Sequence, residues 1–176
     1  MKDLHLQADM NPVVALLYAT VSDTYERLKQ YVAHATQEEI DYKGPDGDLN
    51  SIGQLLRHLA VVDLHWVYRL KHEDVPLQLQ QKYGPMIGED GKLPPVANIS
   101  LEQLLQEYGE VQTMFYLQCK KLTEAELKRE VFYEKGESAT IRWGIWHIAD
   151  HSRYHQAHIG WMRKLYKERV NKLQNI

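Results

Sequence analysis

A single cysteine, Cys119, stands among 176 residues. That excludes a disulfide within the chain and any zinc ribbon built on thiolates. Cys119 has no evident activating neighbour in sequence and reads as a buried structural thiol. No uncharged apolar run approaches the roughly 18 residues needed to cross a bilayer, and no basic-then-apolar leader opens the chain. Long Lys/Arg blocks are missing too: 21 basic against 24 acidic residues leave a formal charge of -3 with histidine neutral. Gripping nucleic acid by its phosphates needs such a block, so neither nucleic acid nor membrane is an expected partner. The expectation is a soluble cytoplasmic protein. Its length suits one domain, residues 1–176, which buries roughly 70% of its unfolded surface and needs no metal merely to fold.

What the sequence has in excess is histidine. Nine are present, and His147, His151, His155 and His158 fall close together. Three of the four tryptophans, Trp143, Trp146 and Trp161, flank that cluster.

Hydrophobic spacing predicts helices throughout. Asn11-Pro12 offers an N-cap followed by proline at the first helical position. Val14, Leu17, Val21, Tyr25, Leu28 and Val32 then form one stripe at steps of three or four. After a turn-rich connector at 41–48, a second helix runs from about Ser51 to His72. It is apolar on most sides, with Ile52, Leu55, Leu59, Val62 and Trp66 on one arc, as a central helix would be. Four prolines and three glycines between 73 and 99 predict a long irregular crossover, of the kind that often serves function and here could cover one end of the bundle. Ser100-Leu-Glu-Gln103 reads as a capping box opening a third helix to about Leu122. Thr123-Glu-Ala-Glu126 repeats the signature for a short helical turn. Residues 132–139 form a loop or at most a small hairpin, and Thr140 caps a fourth helix running to about Arg169. Four long helices make an all-α four-helix bundle with a long crossover between helices two and three.

With His147 set at zero on a helical wheel, His158, His151 and His155 fall at about 20°, 40° and 80°, and Tyr154 at about -20°. Ser152, Gln156, Arg163, Lys167, Arg142 and Arg153 gather at roughly 140–240°. The wheel therefore predicts a solvated face opposite the histidines and a histidine stripe pointing into the core. Inward-facing imidazoles need partners, since a buried unpaired polar group costs about 1–3 kcal/mol. Protonating them together would be worse. A divalent metal resolves this, because neutral imidazole is a natural ligand. Side chains at i and i+4 can chelate one ion, so His147/His151 and His151/His155 both qualify. A third ligand has to come from another helix, and the second helix offers His58 and His65; bundle lining or exposure accounts for His65 as well. His5, His34 and His72 sit near helix ends or tails as bystanders.

The segments Ser51-Ile-Gly-Gln-Leu-Leu-Arg-His58-Leu-Ala and Trp146-His-Ile-Ala-Asp-His151-Ser-Arg-Tyr-His155-Gln-Ala-His158-Ile resemble the DinB/YfiT-like superfamily. The likeness spans nearly the whole chain in helix order. The ending His-Gln-Ala-His-Ile is closer to the YfiT branch than to the DinB branch, where His-Arg-Gly-Gln is usual. The resemblance implies that His58, His151 and His155 hold one divalent metal, nickel or zinc, in a homodimer of bundles. His147 and His158 would then stand beside the ligands. Family members include S-transferases that use small thiols such as bacillithiol or mycothiol, a thiol-dependent maleylpyruvate isomerase branch, and proteins labelled metal-dependent hydrolases.

Two enzyme chemistries fit such a site: a metal-activated thiol attacking an electrophilic substrate, or a metal-bound hydroxide hydrolysing one. No Glu lies inside the His-x-x-x-His motif to act as general base, which weakens peptide hydrolysis. A bundle that binds metal without turnover is the third reading. Asp150 would support a ligand or Tyr154. Tyr154 and Trp143 or Trp161 would line an apolar substrate pocket, although core packing explains such aromatics equally well. The resemblance ranks thiol S-transfer ahead of hydrolysis.

Overall fold

The computed structural model describes residues 1–133 and 136–174. The element order is α1 (Pro12–Val32), α2 (Gln37–Asp41), α3 (Ile52–Lys71), α4 (Leu77–Tyr83), α5 (Leu101–Cys119), α6 (Glu124–Leu127), β1 (Glu130–Phe132), β2 (Ser138–Thr140) and α7 (Ile141–Gln174). The long helices α1, α3, α5 and α7 are the four expected ones, so the fold is all-α. No helix among the described residues is long and apolar enough to cross a membrane.

Local chemistry starts each helix. Asn11 accepts the Val13 N–H at 3.0 Å, with Pro12 opening α1. At α3, Ser51 and Gln54 exchange side-chain and backbone bonds in a full capping box. Thr123 and Glu126 do the same at α6. At α5 only half of the expected box forms: Ser100 accepts the Gln103 N–H, but the Gln103 amide turns outward to Glu107. Thr140 accepts the Trp143 N–H and caps α7. His34 and His72, expected as bystanders, have φ of 65° and 58°. These left-handed residues end α1 and α3, a place where glycine or asparagine is more usual.

Four boundaries differ from expectation. The 73–99 crossover contains α4, and α2 precedes the turn-rich connector. Short helices of five and seven residues carry too little periodicity to be read reliably. α5 ends at Cys119, where the chain tightens into a turn closed by Leu122 N–H on the Cys119 carbonyl. α7 continues past Arg169 to Gln174, because no glycine or proline falls between those residues. The segment 130–140 is a hairpin, with Val131 opposite Ala139.

α3 packs against both α5 and α7, and α1 packs against α7. Trp66, Leu59, Ile52, Tyr108, Phe115 and Ile141 are among the fully buried side chains in one hydrophobic cluster. Cys119 is buried in it, which raises its thiol pKa by desolvation.

The phase of α7 departs from the helical wheel. Ser152 and Gln156, expected in water, are 3% and 6% exposed. Gln156 donates to the Thr24 carbonyl at 2.9 Å and to the Ser152 hydroxyl. Trp146, Tyr154 and Trp161 are instead exposed. α7 is covered by α1 on one side and α3 on the other. Its buried arc therefore centres on Ile148, Ser152 and Ile159, and the histidines stand along one edge of it. Polar residues entered that arc because they found hydrogen-bond partners, and a hydropathy pattern does not register satisfied polar groups.

Candidate metal centre

His58 is offered by the middle of α3 and the remaining clustered histidines by α7. Packing of α3 on α7 brings His58, His151 and His155 together, with one ring nitrogen from each lying within 4.8 Å of the others. The ring centroids are separated by 5.1 Å for His58–His151, 5.0 Å for His58–His155 and 4.5 Å for His151–His155. The Nε2 atoms of His151 and His155 face each other at 3.0 Å. Both rings keep Nδ1 buried without a hydrogen-bond partner among the described residues.

Burial disfavours the charged form of all three rings. Burial first, then the neighbouring imidazoles, lowers the pKa of His151 to about 3. Burial, then His58 and His158, does the same for His155, also to about 3. Burial lowers His58 as well. His58 Nδ1 lies 3.1 Å from the Met86 carbonyl. A carbonyl can only accept, so Nδ1 carries the proton and Nε2 keeps its lone pair for a ligand. Three neutral imidazoles converging from two helices are a donor set suited to a divalent borderline ion such as zinc or nickel. The residues fit the expected metal.

The crossover secures this arrangement. Gln54 donates to the Leu93 and Pro94 carbonyls, Tyr83 donates to the Glu107 carbonyl, and Gly84 turns the chain at φ 75°. Met86 is thereby fixed over His58. The crossover therefore lies along the His58 face of α3.

A cavity of about 840 Å³ opens against His58 and His151. Val62, Trp66, Met86 and Ile87 supply its apolar wall, and His65, Arg69, Tyr133 and His147 its polar groups. A larger groove, about 1040 Å³, lies between α2 and the end of α7 and is lined by none of the histidines.

The other expected site residues divide. His147 faces the cavity but stays outside the triad: its ring stacks on Trp143 at 4.6 Å and 9°, and its Nε2 lies 3.2 Å from the Tyr133 hydroxyl. Trp143 also packs beside Trp66. His158 is half-buried, 5.5 Å from His155 and edge-on to Tyr154 at 4.4 Å. Tyr154 and Trp161 are 61% and 52% exposed and do not line the cavity. Asp150 is exposed on the outer face of α7, because that face turned to solvent when α1 covered the opposite arc. His5 is exposed. Sequence reasoning missed Trp66, Arg69, Met86 and Tyr133 as cavity residues. Trp66 and Arg69 extend the His58 face of α3 and were visible in principle; Met86 and Tyr133 belong to irregular segments without periodic signal.

The sequence matches the family model of the DinB superfamily over residues 20–159, and the chain belongs to that family. It is 45% identical to the uncharacterized protein YkkA of Bacillus subtilis (strain 168) across 99% of both chains. A crystal structure of a conserved protein from Enterococcus faecalis superposes with a TM-score of 0.67 at 19% identity, covering 85% of this chain and 94% of that one. That likeness bears on the fold alone.

Proposed function

We propose that the protein is a metal-dependent enzyme in which His58, His151 and His155 hold one divalent ion, nickel or zinc, and a small thiol is transferred to an electrophilic substrate. The observation that carries this reading is the apolar cavity opening directly on two of three converging neutral imidazoles. The ion supplies Lewis acidity that draws a thiol or a water to its deprotonated form. The chain's own residues do the remaining work. The Met86 carbonyl orients His58. Trp66 and His147 line the cavity with Trp143 packed behind both, and the Tyr133 hydroxyl is positioned to hydrogen-bond substrate. The family resemblance ranks thiol transfer ahead of hydrolysis, and the lack of a Glu among Ser152, Arg153 and Tyr154, between the two ligands on α7, weakens peptide hydrolysis in particular. The protein acts as a cytoplasmic homodimer of one bundle domain per chain, with no nucleic acid or membrane among its partners.

Metal-loaded protein incubated with an alkylating electrophile and a panel of small thiols tests the reading. Thiol conjugates that disappear in His151→Ala are expected. Ester or amide turnover without thiol would replace transfer with hydrolysis by metal-bound hydroxide. Neither signal would leave a metal-binding bundle without turnover. Light scattering should give twice the chain mass.

A further inference from the structure

The outer face of α7 carries a stripe with an internal symmetry. Ala157 stands at its centre. Arg153 and Trp161 lie four residues to either side, Asp150 and Lys164 seven, and Trp146 and Glu168 eleven. All of these residues are exposed. Helical phase keeps them within about 40° of Ala157 over roughly six turns. An eleven-residue spacing in each half stays close to the natural helical period, so a straight helix presents the whole stripe on one side.

Two features set this stripe apart from an ordinary wet face. Trp146 and Trp161 are 47% and 52% exposed, although rings of this size are highly buried on average. Tyr154 flanks them at 61% exposure. Exposed apolar surface rimmed by polar groups marks a contact surface. The four charged side chains, Asp150, Arg153, Lys164 and Glu168, have no ion-pair partner within their own chain among the described residues.

The order of these groups selects the partner. A two-fold axis through Ala157 pairs α7 with an antiparallel copy, in which residues equally far from the centre oppose one another. Asp150 then meets the partner's Lys164, and Arg153 meets the face of the partner's Trp161, a cation–π contact. Trp146 brings its indole N–H to the partner's Glu168 carboxylate. Symmetry makes each contact twice. A parallel pair would set each charge against its own copy. At the axis the Ala157 methyl groups are small enough for the helices to approach to about 8 Å, the close end of helix packing.

We propose that this stripe of α7 is the contact surface for a second copy of the chain, docked antiparallel about Ala157. The inference rests on the homodimer reading and names its interface.

Sedimentation velocity at low ionic strength, where surface charges are least screened, tests the pairing by charge reversal. Asp150→Lys and Lys164→Asp should each weaken the dimer about tenfold, because two contacts per dimer turn from attraction to repulsion. The double variant should return to within a few-fold of the unaltered protein. Ala157→Cys should form a disulfide-linked dimer under mild oxidation, and Glu102→Cys, exposed on α5, should not. Metal content should be unchanged in every variant, so the triad is judged separately. A dimer that both single reversals leave intact, or a loss that the double variant does not restore, overturns this interface while the homodimer reading stands. An unaltered protein that sediments as a monomer overturns both.

Discussion

Gly144 lies so close beneath the indole of Trp66 that a Cβ built on it would meet the ring at 2.1 Å. α7 approaches α3 there with no side chain between them, and the indole is wedged among Gly144, Trp143 and Tyr133. The same ring forms a wall of the cavity beside the histidines. One absent methyl thus sets both the interhelical distance and the shape of the site.

Gly144→Ala should therefore do more than an ordinary helix substitution. Alanine has the better helix propensity, by about 1 kcal/mol, but the overpacking penalty of about 3 kcal/mol outweighs it. A net loss of about 2 kcal/mol lowers Tm by roughly 6 °C for a chain of this size, as calorimetry would show. An unchanged or raised Tm would mean that Trp66 yields without loss.

Metal analysis of purified protein checks the triad. The unaltered protein should carry one divalent ion per chain, and His58→Ala and His155→Ala should each fall well below that stoichiometry. His158→Ala and His147→Ala should retain it, since neither ring belongs to the converging group. Full metal content in both His58→Ala and His155→Ala would refute the ligand assignment.

Asp63 gives a pH prediction. Its carboxyl is 0% exposed and accepts from Tyr108 at 2.8 Å and Gln112 at 2.7 Å on the same oxygen. Burial outweighs both bonds and raises the pKa to about 7. The folded state therefore holds a proton that the unfolded chain releases near the ordinary aspartate value of 3.8. That stabilisation is complete below the unfolded pKa and is lost as pH rises through about 7. Asp63→Asn keeps an acceptor for Tyr108 and carries no charge. The difference in Tm, variant minus unaltered, should grow in favour of the variant across this interval and level off above it. A difference that stays flat with pH would show that Asp63 titrates normally.

Tyr133→Phe separates the hydroxyl from the ring. The stacking on Trp66 and the edge contact with Trp143 survive, and the 3.2 Å link to His147 is removed. Stability should change by about 1 kcal/mol or less and metal content not at all. The rate of thiol conjugation should drop, and an unaltered rate would exclude the hydroxyl from the reaction.

Much of the architecture was legible because it is local. The Asn11 and Thr140 caps, the Thr123 box and the α3 stripe from Ile52 to Trp66 each depend on residues a few positions apart, and all formed as expected. The Ser100 box was only half right, since Gln103 had a competing partner in Glu107. The phase of α7 failed for a tertiary reason: Gln156 is buried because Thr24, far away in sequence, accepts its proton. The turn-forming histidines, His34 and His72, gave no signal, because a left-handed backbone is set by where the next segment must go.

Spacing alone determined that helices would carry the histidines, and i, i+4 periodicity put His151 and His155 on one face. Family resemblance joined His58 to them. Which imidazoles converge, and on what kind of cavity, was decided only when α3 packed on α7 and the crossover placed Met86 over His58. Helical periodicity is a property of one element, whereas a binding site is the relative placement of several. That placement is set by close packing such as Gly144 against Trp66, which no single segment encodes by itself.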